Sequence, residues 1–261
     1  DVPKLGAPPQ TDSNISSRVK ANLKIRNPKT IPRDIPQGCP GWLQAMEDAH
    51  DYIQLGANKV LVIGTETLSR VSDPADRDSM IYADGAGAVL VEPIYLTPPM
   101  GITSFAKRSD TCPEVDFLKM GHSYDSYLDG SFLKMDGKRV FMYAVRNVPL
   151  VVRESLDKAG LTLTQIDKVF IHQANEKMDN RILSELFKLY DLKQEDIPED
   201  IMPMSIQTLG NTSIATLPTL YDLVAKGKLP PHKIKPGSNV VFASVGAGMY
   251  INSMVYRIPE E

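Results

Sequence analysis

A chain of 261 residues, 42% hydrophobic and 23% charged, has the make-up of one large globular domain or two packed halves, which sets aside disordered, collagen-like and low-complexity architectures. Its 29 basic and 32 acidic residues leave a formal net charge of -3, so the charge balance gives no reason to expect nucleic acid or an anionic membrane surface as partner. Cys39 and Cys112, with no CxxC pair, make neither a disulfide framework nor a zinc site, and the longest apolar runs are far too short for a bilayer. The expectation is a protein of the reducing cytoplasm without a membrane span or secretory leader.

The opening residues 1–12, with three prolines and no periodicity, read like the middle of a protein, and a fragment or processed chain is expected. From Ser13 as N-cap, Ile15, Val19 and Leu23 recur every four residues and predict a short amphipathic helix. The Pro-rich stretch 28–40 has room for one short extended piece near residues 29–35. Gly38-Cys39-Pro40-Gly41-Trp42 then opens a stronger helix with Trp42, Met46, Ala49 and Ile53 on one face, closed by Gly56. Residues 59–64 form a continuous β-branched run of the kind buried on both faces of a parallel sheet. Residues 84–92 predict a glycine turn and another buried strand, residues 102–105 one more, and the polar stretch 107–127 a surface excursion.

In the second half, Val140, Ala144, Val148, Val151, Val152 and Leu156 mark a long helix over 139–159 that ends at Gly160. A strand follows at 168–171, a helix over about 176–190, a loop through Pro198 and Pro203, and a helix from Leu209-Gly-Asn-Thr-Ser213 to Lys226. Strands 239–244 and 250–257 close the chain around Gly246-Ala-Gly248. Each half thus pairs helices with strands ending in a glycine turn and a strand. The pattern predicts an α/β pseudo-duplicated fold of helices layered around mostly parallel sheets, with halves 1–130 and 131–261.

Three residues at element ends are candidates for chemistry. Cys39 stands at a helix N-terminus, where unpaired N–H groups and the helix dipole favour a thiolate, the nucleophile that acyl transfer needs; its alternative is a small core residue. His172 ends a buried strand and opens the polar cluster His172-Gln173-Ala174-Asn175, at the carboxyl end where α/β sheets bind ligands, and is otherwise a structural histidine. Asn211 is either functional or a cap or turn residue. Gly85-Ala-Gly87 and Gly246-Ala-Gly248 lack the third glycine of a dinucleotide fingerprint, no phosphate-cradling GxxxxGK[ST] occurs, and His50, His122, His172 and His232 lack ligand spacing, so neither cofactor nor metal is assigned. Asn14-Ile-Ser16 and Asn211-Thr-Ser213 match the glycosylation sequon only formally. A Cys, His, Asn order with His172 following Cys39 by 133 residues also fits a papain-like cysteine protease, although that family's local cysteine signature is absent.

Together the motifs resemble the β-ketoacyl-acyl-carrier-protein synthase III group of the thiolase fold. The matching pieces are Gly38-Cys39-Pro-Gly-Trp42 in place of the usual Cys-Ser-Gly-Phe, Val62-Ile-Gly-Thr-Glu66, Ser69-Arg70 with Asp73-Pro-Ala-Asp-Arg77, Asp84-Gly-Ala-Gly87, Leu133-Lys-Met-Asp-Gly137 with Val140-Phe141, His172-Gln-Ala-Asn175, Gly210-Asn-Thr-Ser213 and Gly246-Ala-Gly248. The resemblance implies a layered α-β-α-β-α fold whose N-terminal half is incomplete, because the family's opening strand, helix and strand have no counterpart here. A chain without those strands is expected to leave sheet edges unpaired and, made alone, to be aggregation-prone and inactive.

By the same resemblance, Cys39 accepts a primer acyl group from coenzyme A, with backbone N–H groups of Cys39, Gly246 and Ala247 as oxyanion hole. His172 and Asn211 act on malonyl-acyl-carrier protein in a decarboxylative condensation. Arg77 contacts coenzyme A, Lys177, in place of the usual Arg, meets the carrier protein, Asn175 orients the site from behind, and the protein is a homodimer without a cofactor. Val245 departs from the usual phenylalanine. A related secondary-metabolite ketosynthase and a non-catalytic thiolase-fold subunit stand as alternatives.

Overall fold

The computed structural model describes residues 14–95 and 100–260. Ser13 therefore lies outside the described residues. Helix α1 (Ile15–Asn22) buries none of its side chains, and its first N–H groups are capped from a distance: Ile15 and Ser16 donate to the Asp34 carboxylate at 2.8 and 2.9 Å. Residues 29–35 form no strand. Pro28, Pro32 and Pro36 supply no N–H to a ladder, and the segment stays irregular. Helix α2 (Gly41–Gln54) buries Trp42, Met46 and Ala49 as the spacing predicts, adds Leu43, and leaves Ile53 only half-buried.

Strands β1 (Val60–Thr67) and β2 (Asp84–Val91) depart from expectation. They pair with each other, antiparallel, from Val60↔Val91 to Thr67↔Asp84, and alternate between covered and open positions, with Leu61, Ile63 and Leu90 exposed. An apolar run states that a strand forms but not how it pairs. The glycines of 84–87 lie inside β2 and make no turn. A Cβ on Gly85 would meet Thr212 at 2.8 Å and one on Gly87 would meet Pro218 at 2.8 Å, so both are glycine because another segment packs directly on the strand.

Strand β3 (Gly101–Ser109) runs past the predicted 105. The excursion after it carries β4 (Leu118–Gly121), paired antiparallel with β5 (Phe132–Met135). Helix α3 (Gly137–Ala159) ends on left-handed Gly160, and β6 (Lys168–Ile171), α4 (Glu176–Lys188), a single turn α5 (Ile206–Leu209), α6 (Thr216–Ala225), β7 (Asn239–Gly246) and β8 (Tyr250–Arg257) follow. The main sheet has the order β3-β8-β7-β6. Only β6 and β7 pair in parallel among the described strands, so the expected mostly parallel sheets give way to a mixed one. Strand β3 joins this sheet although it precedes residue 130.

The sheet is covered on both faces. Val169, Ile171, Val241 and Ala243 pack against α3 and α4, while Phe170, Phe242 and Met254 pack against Trp42, Leu217 and Leu220 of α2 and α6. Phe170 and Phe242 stack at 4.9 Å, with Trp42 edge-on to Phe242. Helices α2 and α6 carry β1 and β2 on their other side. The layers thus run α3 and α4, main sheet, α2 and α6, then the β1–β2 pair.

Candidate active site

Cys39 immediately precedes Pro40, the N-cap of α2. Two contacts fix that end of the helix. The Asn252 side chain on β8 donates to the Pro40 carbonyl at 3.1 Å inside the core. Gly246, the last residue of β7, lies so close that a Cβ there would stand 2.7 Å from Pro40 Cδ and 2.9 Å from Cys39 Cβ. The β7 end is thereby pressed against the cysteine.

His172 extends β6 by one residue, its N–H donating to the Ala243 carbonyl at 2.9 Å, and its side chain is buried. The residues after it stitch the strand end in place. Gln173 donates to the Ile171 carbonyl at 3.0 Å and accepts from the Ser205 N–H at 2.8 Å; exposed Asn175 caps α4 by accepting from the N–H groups of Lys177 and Met178.

Asn211 enters from a third direction. Its N–H donates to the Ile81 carbonyl at 2.7 Å and its carbonyl accepts from Ala83 at 2.9 Å, tying the loop after α5 to the entry of β2. Its Oδ1 accepts from the Ser213 N–H at 2.9 Å, which settles the amide orientation and leaves Nδ2 as a donor.

Cys39, His172, Asn211 and Ser213 all line one cavity of about 60 Å³, closed by apolar side chains including Leu133, Met178 and Val245. The structure thus brings together residues 39, 172 and 211, which are far apart in sequence. Gly246 lines the same cavity, and Ala247 follows it in the turn facing Gly38. Arg77 and Lys177 are exposed and do not line it: Arg77 opens the short helical turn 77–81 that leads to cavity-lining Tyr82, and Lys177 precedes cavity-lining Met178.

The electrostatics correct the expectation of an acidified thiol. Burial pushes Cys39 up to about 11; the Ser213 hydroxyl, 3.5 Å from Sγ, and the cysteine's own N–H pull it down, and Glu66 adds to the rise. Pro40 offers no N–H to the sulfur, and loss of water outweighs the helix end. Burial also lowers His172, against an opposing pull from Asp179, so the imidazole is neutral at pH 7.

Sequence patterns pointed to Ser213 only as part of Gly-Asn-Thr-Ser. The structure gives it a left-handed backbone (φ 52°), a hydroxyl 3.5 Å from both Sγ of Cys39 and a Glu66 carboxylate oxygen, and the N–H that orients Asn211. Left-handed backbone in a residue other than glycine costs about 1–3 kcal/mol, and such strain clusters at functional sites. No sequence signal marked Asn252 or Asp179. Among the described residues, no group of three or more His, Cys, Asp or Glu side chains is placed to hold a metal ion, and no helix is long and apolar enough to cross a membrane.

Residues 33–111 match the family described as 3-oxoacyl-[acyl-carrier-protein] synthase III, and residues 156–258 match its C-terminal domain. The β-ketoacyl-[acyl-carrier-protein] synthase III of Porphyra umbilicalis is 33% identical over 257 residues, covering 94% of this chain and 74% of the relative. The solved 3-oxoacyl-(acyl carrier protein) synthase III of Pseudomonas aeruginosa superposes with a TM-score of 0.80 at 26% identity, over 98% of this chain and 75% of its own. The priming β-ketosynthase of the R1128 polyketide pathway gives a TM-score of 0.78 at 30% identity, over 100% of this chain and 73% of its own.

Proposed function

The chain belongs to the 3-oxoacyl-[acyl-carrier-protein] synthase III family of thiolase-fold acyltransferases, and from that membership we propose how its own residues divide the reaction. Cys39 Sγ attacks the thioester carbonyl of an acyl-coenzyme A primer; the primer's C–S bond to coenzyme A breaks as the new thioester forms, and the thiol proton ends on the departing coenzyme A sulfur. Only about one thiol in 10⁴ is ionised at pH 7 when its pKa is near 11, so deprotonation accompanies attack rather than preceding it. Backbone N–H groups of Cys39, Gly246 and Ala247 receive the developing oxyanion, each such donor supplying about 3–4 kcal/mol.

Malonyl-acyl-carrier protein then brings its malonyl thioester to the same cavity. Loss of carbon dioxide leaves an enolate whose oxygen accepts from His172 Nε2 and Asn211 Nδ2; its carbon attacks the acyl-Cys39 carbonyl and expels the cysteine sulfur, giving the 3-oxoacyl thioester. Two neutral donors suffice because decarboxylation makes the carbanion without a strong base. The observation that carries this reading is the convergence of Cys39, His172 and Asn211 on one cavity, with the Asn211 amide turned to donate.

Arg77 is assigned to coenzyme A and Lys177 to the acidic carrier protein; both are exposed on segments that lead into the cavity wall. Lysine lacks the bidentate fork of arginine, so its contact is the weaker. Asn175 supports His172 through the cap of α4. A homodimer in the cytoplasm, starting fatty acid synthesis, completes the proposal. The likeness to a priming ketosynthase of a polyketide pathway favours a second reading in which the product enters secondary metabolism.

The test separates the half-reactions. Asn211→Ala should still acylate Cys39 but lose about 2–4 kcal/mol of transition-state stabilisation in condensation. Equal loss in both steps overturns the division.

A further inference from the structure

Asp179 lies in the first turn of α4, fully buried, and neither carboxyl oxygen makes a well-formed hydrogen bond, although the Asn175 N–H lies close enough to favour the anion. The other buried side chains of α4, Met178, Ile182, Leu183, Leu186 and Phe187, are all apolar, so packing alone gives no reason for an acid there. Seven residues earlier, His172 carries the complementary defect: its Nδ1 is sealed from solvent and unpartnered, leaving Nε2 as the nitrogen available to the cavity. The two groups are close enough to act on each other's charge. Burial pushes Asp179 up while His172 and the Asn175 N–H pull it down; burial pushes His172 down while Asp179 pulls it up. Both are thereby driven toward their neutral forms, a carboxylic acid with a proton to donate and an imidazole with a lone pair to receive it.

We propose that Asp179 is a positioning residue for His172: its carboxyl O–H donates to Nδ1 and fixes the ring as the Nε2–H tautomer, aiming that N–H at the substrate oxygen. One hydrogen bond between them satisfies both orphaned groups at once. Without it the proton is free to sit on Nδ1, and a bare Nε2 lone pair would then face the enolate oxygen. The catalytic consequence rests on the role given to His172 above; the tautomer itself does not.

The test uses the full chain with Asp179→Asn and Asp179→Leu. Nitrogen-15 spectra of the imidazole at pH 7 should show the Nε2–H tautomer for His172 in the unaltered protein and in Asp179→Asn, whose amide can still donate, and should show loss of that preference in Asp179→Leu. The ratio of condensation to Cys39 acylation should fall about tenfold to a hundredfold in Asp179→Leu and largely recover in Asp179→Asn. An Nδ1–H tautomer in the unaltered protein overturns the proposal, whether or not either variant folds. So does a leucine variant with unchanged tautomer and unchanged ratio. Loss of tautomer control in the leucine variant with no acyl-Cys39 in any form would uphold the Asp179 contact and count instead against the acyl-transfer reading.

Discussion

At the scale of single residues, Cys39 is held by opposing forces. Burial raises its thiol to about 11, while Ser213 and the local N–H stabilise the anion. An ordinary thiol near 8.5 levels off in reactivity above that pH, whereas Cys39 should react with iodoacetamide about tenfold faster per pH unit from 7 to 10. Peptide mapping separates it from exposed Cys112. A plateau near or below pH 8 would mean that the helix end prevails over burial. Cys39, His172 and Asn211, which converge on the cavity, stand out in the sequence because each lies at the end of a recognisable element. Ser213 and Asp179 do not, since a left-handed serine and an orphaned acid on an apolar face are properties of tertiary contact.

At the scale of elements, glycine spacing carried information that sequence reading mistook. Gly85 and Gly87 mark where the Asn211–α6 segment rests on β2. Gly246 marks where β7 meets the cysteine. Gly246→Ala should cost about 1–3 kcal/mol of stability through overpacking and slow Cys39 acylation more than tenfold, measured by thermal unfolding and by adduct mass. Unchanged acylation would mean that the close approach plays no part in aligning the site. The helices were read to within a few residues because apolar spacing encodes them. Pairing of β1 with β2 escaped because an apolar run encodes neither register nor direction, and the β4–β5 pair because its four-residue strands lie in or just beyond a polar, irregular stretch.

At the scale of the molecule, α2 and α6 form a middle layer between the main sheet and the β1–β2 pair, and the cavity is lined by Cys39 just before α2 and by His172 at the end of β6 in the adjoining sheet. Alternation of helices and strands along the chain made the layered fold readable, although the glycine turn expected at 84–87 does not exist; the mixed pairing of the main sheet was not readable, because β3 crosses into it from the first half. The central claim, that one cavity performs acyl transfer and then condensation through Cys39, is tested most directly by intact-mass analysis with a panel of acyl-coenzyme A primers, followed by malonyl-acyl-carrier protein. The account predicts a mass increase equal to the acyl group, mapped to Cys39, absent in Cys39→Ser, and discharged as 3-oxoacyl-carrier protein on the second addition. An adduct mapped to Cys112, or condensation that persists in Cys39→Ser, would contradict it.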